Sequence, residues 1–115
     1  MNNCPYTNLY MIKGDTFLFS MEIIGLEQNL TAAYLSCKKN KDDDTFSFQK
    51  SLGDGIALVE TTESGKTYSF TVDPEDTEDL EPGNYYYDVQ ITTAAGEIFT
   101  PLLGMLRIDY DITTN

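Results

Sequence analysis

The chain has 115 residues, the length of one domain with a core large enough to need no covalent staples. Hydrophobic residues make up 41%, ordinary for a globular chain, and 19 acidic against 7 basic residues leave a net charge of −12. Phosphate backbones and anionic bilayers are repelled by such a surface, so nucleic acid and membrane insertion are excluded as partners, and no apolar run approaches spanning length.

Strand signals recur at short intervals with turn signals between them. Residues 1–8 read as a polar leader. Leu9, Met11 and Ile12 suggest a short edge strand that "KGD" at 13–15 interrupts. "TFLFSMEIIGL" alternates, with Phe17, Phe19, Met21 and Ile23 on one face and Leu18, Ser20, Glu22 and Ile24 on the other. In "AAYLSCKKN", Ala33, Leu35 and Cys37 share one face and Tyr34, Ser36 and Lys38 the other. "KNKDDD" reads as a hairpin tip, and "TFSFQKSL" returns as a strand through Phe46 and Phe48. "GDG" at 53–55 is a turn, "IALVETT" a short strand, "ESGK" a hairpin turn, and "TYSFTV" a strand with Tyr68, Phe70 and Val72 on one face.

"DPEDTEDL" breaks the pattern. Asp73 can cap a short helical turn with Pro74 at its first position and acids in its first turn. "EPGN", a tyrosine-rich strand and the turn "TAAGE" follow. "IFTPLLG" and "MLRIDYDI" read as one strand bent at Gly104. The pattern predicts an all-β fold, a single antiparallel sandwich of about seven to eight strands with one short helical turn near residues 74–80. The domain is expected over residues 9–112, with a polar tail at 113–115. Cys4 and Cys37 allow one bridge at most, and nothing in their context calls for it. The first residues lack a basic start and an apolar segment, so synthesis in the cytoplasm without a signal peptide is expected.

"LEPGNYYYDVQI" puts Tyr85, Tyr87, Val89 and Ile91 on one face and Asn84, Tyr86, Asp88 and Gln90 on the other. This is a half-buried strand with Tyr86 on the wet side. In immunoglobulin-type sandwiches, a tyrosine near the start of the strand after the crossover hydrogen-bonds back to the preceding loop. Tyr85 or Tyr87 fits that corner, or the core, better than a ligand platform.

Catalytic chemistry is thin. The chain has no histidine, so imidazole catalysis and His-ligated metals are excluded. Two distant cysteines do not make a zinc site, and "GDGIAL" is neither a phosphate loop nor a dinucleotide fingerprint. The acids at 42–44 and 73–79 lack the spaced pattern of a calcium loop and read as a solvated tip and a charged turn. No cofactor and no enzymatic activity are expected. Tyr86, Asp88 and Tyr34, polar or aromatic side chains on wet strand faces, are the candidate interface residues.

The ordered set Gly14-Asp15-Thr16, Leu30-Thr31 with Ala33, Asp76-Thr77, Leu80, Pro82-Gly83, Tyr85, Tyr87-Asp88, Gly96 and Leu102-Leu103-Gly104 resembles small Ig-like domains of tailed-phage and prophage structural proteins. The N-terminal domain of baseplate upper proteins is the specific likeness. Ala32 stands where that pattern has Gly. The resemblance implies a virion structural or adaptor protein of a tail or baseplate. It implies other tail or baseplate proteins as partners, homo-oligomeric assembly, and no catalytic residue. The alternative reading is a carbohydrate- or surface-binding module, with or without calcium.

Overall fold

The computed structural model describes residues 6–112. Eight strands and one helical turn follow in order: β1 (Leu9–Ile12), β2 (Phe17–Ile24), β3 (Ala32–Lys38), β4 (Phe48–Leu52), β5 (Gly55–Thr61), β6 (Gly65–Val72), α1 (Pro74–Thr77), β7 (Gly83–Thr92) and β8 (Ile98–Asp109). They form one sheet in the order β1-β8-β7-β3-β4-β5-β6-β2. The all-β class, the number of strands and the single small helix are as the sequence predicts.

Two expectations are corrected. The pairing is mixed rather than antiparallel throughout, because β1 runs parallel to β8 and β4 parallel to β5. The strands also join in one continuous sheet rather than two separate ones. Its waist is the β4–β5 link, only Ser51 opposite Gly55 and Leu52 opposite Ile56. The physical cause is the "GDG" corner. Ser51 and Asp54 exchange backbone hydrogen bonds, and Gly53 N–H donates to Ile56 O, so the chain coils back beside itself. Gly55 has φ +99°, and a Cβ there would meet the Lys50 side chain at 2.5 Å and Thr71 O at 2.9 Å.

One face of the sheet encloses the core. Period-two alternation delivers Ala33, Leu35 and Cys37 from β3, Tyr68, Phe70 and Val72 from β6, Tyr85, Tyr87, Val89 and Ile91 from β7, and Leu106 and Ile108 from β8. Phe19 stacks on Phe70 with ring centroids 4.9 Å apart. Leu30 N–H donates to Tyr68 Oη at 2.9 Å, tying the β2–β3 loop to the opposite strand. Cys37 is a free thiol, wholly buried, and burial pushes its pKa up to about 12, so it is inert. Cys4, its suggested partner, lies outside the described residues.

The leader enters the fold earlier than Leu9. Tyr6 bridges to Leu103 in the register that β1 continues, and Thr7 N–H donates to Leu103 O at 2.7 Å. Tyr87 Oη donates to Thr7 O at 2.6 Å. Gly104 makes room for this approach, since a Cβ there would sit 2.2 Å from Thr7 O. The bend expected at Gly104 is therefore a close crossing. The register break of β8 falls elsewhere, between the pairs Val89–Leu102 and Ile91–Phe99, the stretch that holds Pro101.

The crossover from β6 to β7 is tied at several points. Asp76 accepts the Asp73 N–H at 2.8 Å, which closes the helical turn onto its own start. Lys50, on the inner side of β4, places its ammonium 2.9 Å from both Asp73 and Asp76. Burial alone would lower this amine's pKa, but the hydrogen bonds and charges of Asp76 and Asp73 outweigh it and hold the pKa above its ordinary value. The wholly buried Thr77 accepts Gly14 N–H at 2.9 Å and so joins the crossover to the β1–β2 turn. Tyr85 Oη donates to Glu81 O at 2.6 Å, the tyrosine corner expected from the sequence.

Two stability predictions follow from these contacts. Tyr87→Ala is expected to cost about 3–5 kcal/mol in chemical denaturation, against under about 1 kcal/mol for Tyr86→Ala on the opposite face; the reverse order would mean a strand register displaced by one residue. Asp76→Ala removes an ion-pair partner and the turn closure together and is expected to cost about 2–3 kcal/mol. Lys50→Met, which leaves the carboxylates their water, is expected to cost about 1 kcal/mol or less. Equal losses for the two variants in urea titrations would argue against this division.

Candidate functional site

The outer faces of β4, β3, β7 and β8 form the floor of an open groove of about 570 Å³. The strand registers lay its residues out in rows. One row crosses the sheet as Gln49, Ser36, Asp88, Leu103 and Tyr6. The row on one side holds Lys38 opposite Tyr86, and the row on the other holds Tyr34 opposite Gln90. The groove exists because the central row is low: Ser36 and Asp88 are short, while the flanking rows and both ends carry rings. Gln49 Nε2 donates to Ser36 Oγ at 3.0 Å and fixes one end of the floor.

The candidates Tyr34, Tyr86 and Asp88 all line this groove. Sequence reasoning did not assign Phe46, Lys41 or Tyr6 to it. Phe46 was expected in a strand beside Phe48. Instead β4 begins at Phe48, and Phe46 lies in the preceding loop, 46% exposed, while Phe48 is buried. Tyr6 belongs to the segment read as a leader. Lys38 and Gln90 were legible as wet-face residues from the alternation of their strands.

Lysines occupy the rings. Lys38 Nζ lies 5.3 Å from the Phe46 ring centroid and Lys41 Nζ 5.0 Å from that of Tyr86. The chain as a whole carries −12, yet the groove carries Lys38 and Lys41 against Asp88 alone. Burial on the groove floor raises the Asp88 pKa, and Lys38 offsets part of that rise. Chemically the groove is an aromatic trough with positive charge over two of its rings.

The acids at 42–44 and 73–79 lie away from this groove. Asp73 and Asp76 converge on Lys50, so a cation is already there in the form of an ammonium. Asp43 accepts Asn40 N–H at 2.9 Å in the β3–β4 tip, an ordinary turn contact. Among the described residues no three acidic, histidine or cysteine side chains cluster as a metal site would require.

No protein-family model matches the chain, and no curated protein matches it in sequence. Solved structures match the chain with differing degrees of overlap. CopC from Methylosinus trichosporium OB3b superposes with a TM-score of 0.51 at 10% identity, over 96% of this chain and 92% of that one. The extracellular domain of the voltage-gated sodium channel beta4 subunit gives 0.43 at 13% identity, over 97% and 98%. The V domain of amphioxus IgVJ-C2 gives 0.30 at 16% identity, over 88% and 99%.

The groove makes one pH-dependent prediction. Because burial raises the Asp88 pKa, ionisation costs the folded state more than the unfolded chain, and that penalty is present above the folded pKa and absent below about pH 3.8. Asp88→Asn is therefore expected to raise Tm at pH 7, with the gain disappearing as pH falls through the carboxylate range. A lower Tm for the variant at pH 7 would show that the carboxylate holds the groove together.

Proposed function

We propose that the protein is a non-enzymatic adaptor, built on an immunoglobulin-like sandwich, that docks another protein in the aromatic groove. The strand pairing supports the architectural part. β2, β6 and β5 pair in the manner of strands B, E and D, while β3, β7 and β8 pair in the manner of C, F and G, with β4 and β1 at the flanks of the second group. The tyrosine corner sits at the start of β7, the strand that takes the place of F. On this reading the two-pair β4–β5 link is the seam between two layers.

The observation that carries the docking role is the pair of lysines seated on Tyr86 and Phe46. A neutral sugar stacks on open ring faces, and here two of those faces are covered. A protein segment with acidic and apolar side chains can pair with the ammonium groups while packing on the ring edges and on Tyr34. Tyr34 is 39% exposed and carries no lysine of its own among the described contacts. The sequence resemblance supports a place for the adaptor in a phage or prophage tail or baseplate, with other tail proteins as its partners and the virion as its location. The motif residues behind that resemblance act in the fold: Thr77, Tyr85, Tyr87 and Gly104 each hold a crossing of the chain.

The second reading, a carbohydrate-binding module, is favoured by the amides of Gln49 and Gln90 beside Tyr34 in the same groove. The two are separable. Immunogold labelling of particles released from the host that carries the gene is expected to decorate tails. Ser36→Phe, which fills the groove from its floor, is expected to abolish incorporation while leaving Tm within a few degrees. Unlabelled particles, together with tyrosine fluorescence that changes on glycan titration, would replace the adaptor with the sugar-binding reading.

A further inference from the structure

The sheet has two edges, and β2 is the long one. Its eight residues pair with β6 without a break in register, from Phe17 opposite Val72 to Ile24 opposite Gly65. On its other side no strand pairs with it among the described residues. One residue further on, Gly25 N–H donates to Ser64 O in the same register. In an antiparallel ladder, residues that exchange bonds alternate with residues that turn their backbone groups away. Gly25, Ile23, Met21, Phe19 and Phe17 therefore bond to β6, whereas Ile24, Glu22, Ser20 and Leu18 direct their N–H and C=O groups to the open edge.

Sheet edges exposed to water ordinarily carry a proline, a lysine or a bulge that blocks further pairing. β2 carries none of these, and its one charged side chain is Glu22. Its outer face instead shows Leu18 at 62% and Ile24 at 71% exposure. On its inner face Phe17, Phe19, Met21 and Ile23 pack on the core yet remain half-buried, because no strand lies beside them.

We infer that β2 pairs antiparallel with β2 of a second copy about a two-fold axis at Met21, joining the two sheets edge to edge. The pattern of the strand is self-complementary about that residue. Leu18 lies opposite Ile24 of the second copy, and Ser20 lies opposite its Glu22, so apolar meets apolar and no acid faces an acid. Each residue with open backbone groups meets another such residue, which completes the ladder on both strands. Moving the axis by one residue fails on side chains. Centred on Ser20, the pairing sets Leu18 against Glu22; centred on Glu22, it sets two carboxylates against each other. The pairing does not depend on the aromatic groove, which lies at the other end of the sheet order.

The test is mass in solution by light scattering over a range of concentrations, with three sets of variants. The native chain is expected at twice 12.9 kDa at high concentration. Leu18→Lys combined with Ile24→Lys, both at exposed positions, is expected to give the single-chain mass with a cooperative melt retained. In a Cys4→Ser background, Met21→Cys is expected to form an oxidised dimer, because the axis brings the two sulfurs together. Leu18→Cys is expected to form none, since its counterpart lies six residues, about 20 Å, along the ladder. Ser36→Phe is expected to leave the mass unchanged, which separates this edge from the groove. A native chain that is monomeric at every concentration would overturn the inference. So would a dimer that survives both lysines and does not cross-link at Met21.

Discussion

The route of the chain through its crossover is organised around a buried cation. Lys50 sits on the inner side of β4, where alternation would place an apolar side chain, and its ammonium is reached by Asp73 and Asp76 at 2.9 Å. Burying an ammonium alone would cost several kcal/mol, and two carboxylates with good geometry offset that cost. The pairing fixes where the chain must pass between β6 and β7. Once α1 is held there, Thr77 reaches Gly14 in the β1–β2 turn, and Tyr85 starts β7 with its hydroxyl on Glu81. A polar contact of this kind adds little net stability compared with an apolar replacement, but it rejects other routes for the crossover, which would strand one of the charges.

The same segments explain why some of the fold was legible in the sequence and some was not. β2, β3, β6 and β7 each have one face on the core, so period two survives in their residues and their faces could be read directly. Lys50 was opaque because its partners lie 23 and 26 residues away, in a stretch whose acids look solvated. The parallel pairings were hidden for a different reason. Alternation tells which way a side chain points but not which strand lies alongside, and both parallel contacts arise from how the chain turns: at the "GDG" corner, and where β1 runs beside β8.

The groove was half legible. Tyr34, Tyr86 and Asp88 stood out as wet-face residues, and the β3–β7 register brings them together. What sequence could not supply was depth. The trough requires short side chains at Ser36 and Asp88 side by side in one row, and that depends on pairing across strands far apart in the chain. Phe46 and Tyr6 close its ends from segments without periodicity. Both rings are about half exposed, and on the proposed reading they are what a docked partner would cover.

On the proposed reading, two surfaces with different chemistry divide the work of assembly. The groove combines charge with rings, and charge across such an interface governs orientation and rate of encounter more than affinity. The β2 edge has a single charged residue, Glu22, and an unfilled row of backbone groups, so its affinity would come from ladder hydrogen bonds and from completing the burial of Phe19 and Met21. Because β2 closes one end of the sheet order and the groove spans strands toward the other, pairing through β2 leaves both grooves open. A two-fold pair of adaptors would present two identical docking sites, and a partner with two matching segments would gain from binding both at once. An acidic surface suits that arrangement, since like charges outside the two complementary regions oppose any other contact between copies.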